Sequence, residues 1–107
     1  MSAGPSDAPP VPAPAGQRPR EARVPEIRAR LDAAFHPVEL DVFDDSHQHI
    51  GHAGAADGRG HYRVRIVSDA FAGMSPVARH RAVYAAVGDM LQTDIHALSI
   101  QAGPPAG

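Results

Sequence analysis

The sequence predicts a small two-layer α+β domain in the order helix, strand, strand, helix, strand, with a three-stranded sheet carrying its helices on one face. Two patterns carry this reading. Val38, Leu40 and Val42 alternate with Glu39 and Asp41, and Tyr62, Val64 and Ile66 alternate with Arg63 and Arg65. That period of two belongs to strands with one buried face. Apolar residues also recur at steps of three and four in two other stretches, as in helices that bury one side.

The first helix is expected to begin at Pro25, whose missing N–H is no loss at the first helical position. Ile27, Leu31, Ala34 and Phe35 follow at helical spacing, and Pro37 stops the helix. The first strand comes next. Asp44, Asp45 and Ser46 then open a loop rich in His and Gly, and the second strand starts near His61. Residues 68–73 read as a turn. Ser75 and Pro76 form a strong helix start, a capping hydroxyl followed by proline. The stripe Val77, His80, Val83/Tyr84, Val87, Met90/Leu91 is expected to face inward, with Gly88 inside the helix at a point of close packing. Residues 95–100 read as the last strand, with His96, Leu98 and Ile100 on one face. The connection through the long helix permits parallel pairing of this strand.

Six prolines among the first 24 residues leave little to bury, so residues 1–22 read as a disordered Pro-rich arm. A PxxP pattern at residues 9–12 is the functional alternative there. The folded domain is expected over residues 23–102, followed by a disordered tail over 103–107.

The 107 residues include seven histidines and no cysteine, with a net charge of −2. Without thiols the chain has no disulfide framework and no redox dithiol, which fits a reducing compartment and a cytoplasmic location. The charge argues against strong non-specific attraction to nucleic acid or acidic membrane. No apolar run approaches the ~20 residues of a membrane span. A metal or cluster held here would take nitrogen ligands or borrow thiolates from a partner.

His47, His49 and His52 are the foremost candidates for metal ligation, set against an ordinary role as solvated loop side chains. Their spacing matches no zinc signature. His96 and His61, each at a strand start, read alone as hydrogen-bonded structural residues. Arg79 and Arg81 on the long helix, with Arg63 and Arg65 on the second strand, are candidates for a local phosphate-binding surface. His80, on the apolar stripe, is expected to pack inward. Asp44, Ser46 and His47 name the parts of a nucleophilic triad, but adjacent loop residues rarely reach its geometry, and turn chemistry is the better reading.

Several segments together resemble the BolA family. They are Val42-Phe43-Asp44-Asp45-Ser46-His47, Gly60-His61-Tyr62-Arg63-Val64, Val67-Ser68-Asp69-Ala70-Phe71-Ala72-Gly73, Arg79-His80-Arg81 and Ile95-His96-Ala97-Leu98-Ser99-Ile100. The match covers about residues 24–101 in family order. It implies a type II KH-like fold and a non-enzymatic protein. It also implies a monothiol glutaredoxin partner, the pair holding a bridging [2Fe–2S] cluster with glutathione, for cluster assembly, trafficking or iron sensing. The family's His-Ala-Leu histidine, a cluster ligand, corresponds to His96. The second ligand is a loop His or Cys. With no Cys here, His49 is favoured, and His47 and His52 stand beside it. Some bacterial members are described as transcriptional regulators, so DNA is the alternative partner. No Gly-x-x-Gly loop of the nucleic-acid-binding KH type is present.

Overall fold

A computed structural model describes residues 16–46 and 58–106. Helix α1 (Arg20–Phe35) leads into strands β1 (Glu39–Asp44) and β2 (Gly60–Val67). A 3₁₀ turn (Asp69–Phe71), helix α2 (Pro76–Val87), the short helix α3 (Met90–Thr93) and strand β3 (Ile95–Gly103) follow. The sheet order is β1-β2-β3, with β1 antiparallel and β3 parallel to β2. This is the expected small α+β domain with three strands, and the crossover through α2 and α3 delivers the parallel strand.

α1 starts five residues before Pro25, which therefore lies inside the helix. The first turn is held from outside. Arg18 donates its backbone N–H and a guanidinium N–H to the Asp94 carboxylate, both at 2.7 Å, and the Arg23 Nε–H adds a third bond at 3.1 Å. These contacts extend ordered structure ahead of residue 23. They also fix α1 to the residue just before β3. At the other end His36 takes a left-handed conformation (φ 46°) and donates its N–H to Asp32, so the helix closes before Pro37.

The core joins Ile27 and Leu31 of α1, Tyr62, Val64 and Ile66 of β2, Phe71, Val83 and Val87 of α2, Met90 and Ile95. β2 alternates as its sequence demands, with Tyr62, Val64 and Ile66 buried and His61, Arg63 and Arg65 on the other face. Leu40 and Val42 of β1 pack against the core, whereas Val38 precedes the strand and is exposed.

Ser75 caps α2 as expected, its hydroxyl accepting from the Ala78 N–H at 3.1 Å. Of the stripe expected along this helix, Val83, Val87 and Met90 do face inward, and its members Val77, His80 and Tyr84 do not. Val83 and Val87 are buried with Ala82 and Ala86 beside them, while Val77, His80 and Tyr84 are exposed. His80 does not pack inward. The helix needs only its 83/87 side against α1 and the sheet. Gly88 ends α2 instead of lying inside it, with φ 55° and ψ −123°. A Cβ there would meet nothing closer than 3.7 Å. The glycine thus answers to backbone conformation and not to close packing.

Candidate functional site at the head of the parallel strands

The helices cover one sheet face. The opposite face carries Glu39, Asp41, Phe43, His61, Arg63, Arg65, Ala97 and Ser99, as the strand registers require. His96 joins that open side through a bulge. β2 pairs Gly60 with Ile95 and His61 with Ala97, so His96 is the extra residue between two pairs. Ile95 is buried and Leu98 packs against the core, while His96 and the adjacent Ala97 are both exposed. Period-two reasoning put His96 on the face of Leu98 and Ile100. The bulge breaks that alternation and turns the imidazole outward.

Gly60 is tightly enclosed opposite the bulge. A Cβ at this buried position would lie 2.5 Å from the Ser46 hydroxyl and 2.8 Å from the Tyr62 ring. Its N–H donates to the Asp94 carbonyl at 2.9 Å. Asp94 thus anchors the strand head through its backbone as well as its carboxylate. Ser46 accepts from the His61 N–H at 3.0 Å, and the Asp44 carboxylate accepts from the Ser46 N–H at 2.8 Å. Both residues do turn and strand-end work, in line with the reading of Asp44, Asp45 and Ser46 as turn chemistry.

Among the described residues, the His96 ring lies beside His61 and Arg59. His61, across on β2, has its ring centroid 5.2 Å away at an interplanar angle of 49°. Arg59, just before β2, places Nη2 3.2 Å from His96 Nδ1, while its Nη1 donates to the Leu91 carbonyl at 3.2 Å. The sequence treated His61 and His96 as separate strand residues, and Arg59 drew no attention. Their proximity arises from parallel pairing, which local spacing cannot reveal. His47, His49 and His52 lie outside the described residues. Among the described residues, no three His, Cys, Asp or Glu side chains gather to hold a metal ion. What these residues offer is an outward imidazole with a second one beside it. Imidazole nitrogens are donors that suit metals such as iron and zinc.

The four arginines separate. Arg63 donates to Asp45 at 3.0 Å and stacks 4.1 Å over the Phe43 ring. Arg65 bonds Asp41 at 3.0 Å and Glu39 at 2.6 Å, and these carboxylates raise its pKa. Arg79 donates to the Met74 and Ala102 carbonyls at 3.0 and 3.3 Å. Arg81 is exposed on α2 beside Pro76, Val77, His80 and Tyr84 around a shallow groove of about 250 Å³. Three of the four thus hold carboxylates or carbonyls, and Arg81 stands exposed on α2. Burial raises the pKa of the Tyr62 phenol beneath the site.

A helix-backed mixed sheet with an imidazole bulged out at its parallel edge defines a small α+β module. A family model described as BolA-like protein matches residues 31–106. The chain belongs to the BolA family. The solved BolA domain of SufE1 from Arabidopsis thaliana superposes with a TM-score of 0.71 at 49% identity, covering 78% of this chain and 93% of that one. BolA-like protein 1 of Mus musculus is 45% identical over 80 residues, 75% of this chain and 56% of the mouse protein. The DNA-binding transcriptional regulator BolA of Escherichia coli is 40% identical over 74 residues, 69% of this chain and 68% of that protein. The match spans little more than half of the mouse relative's length, and 23% of the length of SufE-like protein 1 from Arabidopsis.

Proposed function

We propose that this chain is a non-enzymatic adaptor that pairs with a monothiol glutaredoxin and glutathione to hold a bridging [2Fe–2S] cluster, for cluster assembly, trafficking or iron sensing. His96 carries the reading. It sits in the segment that resembles the family's ligand motif, and it is exposed on a bulge that turns its ring away from the core. In the proposed complex, glutathione and the glutaredoxin supply thiolates to one iron, and His96 with a second imidazole supplies nitrogen to the other. The second imidazole is drawn from the loop, with His49, His47 and His52 as candidates. Neutral imidazole in place of thiolate raises the potential of such a centre. It also makes ligation weaken as pH falls towards the imidazole range, which suits transfer and sensing. This chain's residues position the donors: Asp94 fixes the strand head, and the bulge after Ile95 turns His96 outward from the sheet.

Anaerobic reconstitution with a monothiol glutaredoxin and glutathione tests the proposal. The expected product is a heterodimer whose visible absorption and circular dichroism differ from those of the glutaredoxin homodimer. Failure to co-purify, or a spectrum identical to that of the homodimer, would refute it.

A second reading is DNA binding, favoured by the name of the Escherichia coli relative. Arg81 is then the exposed cation on α2, and affinity should fall steeply with salt. Arg81→Glu should weaken binding to a duplex; unchanged affinity would remove this helix from consideration.

A further inference from the structure

We infer that Arg59 is a latch on His96: it holds the ring in one tautomer and must release it before the ring can bind a metal. This rests on the assignment of His96 as a ligand. Arg59 Nη2 lies 3.2 Å from His96 Nδ1. A guanidinium has only donors, so Nδ1 must be the acceptor, and the hydrogen of the neutral ring sits on Nε2. That leaves one lone pair on the ring, and Arg59 already holds it.

Two routes to ligation exist, and both break this contact. Binding through Nδ1 displaces the guanidinium directly. Binding through Nε2 requires the hydrogen to move to Nδ1, where two donors would then face each other. Arg59 has a place to stay after release, because its Nη1 donates to the Leu91 carbonyl at 3.2 Å, at the turn before β3. The latch is built from residue 59, immediately before β2, and from the bulge that turns His96 towards it. The same geometry keeps His96 from offering an uncommitted nitrogen while no partner is present. It makes Arg59 a positioning residue, acting through His96.

The test uses the full chain and Arg59→Met, which keeps a long side chain and removes the donors. Nitrogen-15 NMR of the free protein reads the tautomer. The wild type should show His96 with hydrogen almost entirely on Nε2, and the Met variant should fall back to the mixture of an unrestrained imidazole, in which Nε2–H predominates less strongly. An unchanged ratio in the Met variant would overturn the hydrogen bond. The second readout is transfer of the cluster from a glutaredoxin homodimer to the heterodimer, followed by visible circular dichroism. Half-transfer should need roughly three- to tenfold less of the Met variant, the size expected for one competing hydrogen bond. Equal or greater demand would overturn the latch. Arg59→Lys, which retains a cationic donor, should move both readouts back towards wild type. His96→Ala separates the two claims. If that heterodimer kept the wild-type spectrum, the ligand assignment and the latch would fall together, while the tautomer data would still judge the hydrogen bond alone.

Discussion

Asp94 has none of its surface exposed, yet it carries a charge. Burial works against that charge, but the Arg18 backbone N–H, the Thr93 hydroxyl and the guanidinium groups of Arg18 and Arg23 more than offset it. The net result is a pKa below the ordinary carboxylate value. The sign of the linkage follows. The folded-state pKa lies below the unfolded value of about 3.9, so the stabilisation is present above that pH and is lost as pH falls through the folded-state value. Asp94→Asn should lose roughly 3 kcal/mol at neutral pH, because it leaves Arg23 buried beside a neutral group. The variant's stability should also vary less with pH below about 4. Urea denaturation at a series of pH values checks both statements. A variant as stable as wild type at pH 7 would remove Asp94 as the anchor of the strand head.

The elements carry a second consequence, at the end of α2. Read as an interior helical residue, Gly88 would gain stability on replacement by alanine. Its observed φ of 55° with ψ of −123° reverses the sign. Gly88→Ala should cost about 1–3 kcal/mol through backbone strain, although there is room for the methyl group. A more stable Ala variant in thermal or urea unfolding would contradict the assigned conformation.

The strands and the start of α2 were legible because each rests on neighbours in sequence. Tyr62, Val64 and Ile66 bury one face of β2 whatever their partners, and Ser75 caps α2 with an atom three residues away. Features set by pairing were not legible. Nothing near His96 announces a bulge, since it depends on Gly60 standing opposite Ile95. Pro25 looked like a helix start because the anchor of the extra turn, Asp94, is about seventy residues away. The stripe on α2 misled because Val77 and Tyr84 are apolar and yet exposed. Of the site, the proposed role of His96 rests on family resemblance, and its contacts with His61 and Arg59 emerge from the fold.

In the whole molecule, the residues before α1 belong to the fold. Gln17 donates to the Thr93 carbonyl at 2.8 Å, and Arg18 pairs with Asp94 at 2.7 Å. An arm ending at residue 22 would cut through these contacts. A chain beginning at residue 19 should therefore melt several degrees below one beginning at residue 16, since about 1 kcal/mol corresponds to about 4–8 °C in a domain of this size. Equal melting temperatures would show that the clasp on Asp94 does not contribute.

The proposed activity also belongs to the whole molecule, because it needs the sheet, the bulge and a partner together. The decisive measurement is the visible circular dichroism of the heterodimer reconstituted with His96→Ala. His96 is exposed, so the variant should fold with a near-unchanged melting temperature and still meet the glutaredoxin. Its spectrum should shift towards that of the glutaredoxin homodimer as nitrogen ligation by this chain is lost. A folded His96→Ala heterodimer with the wild-type spectrum would contradict the assignment of His96 as a ligand.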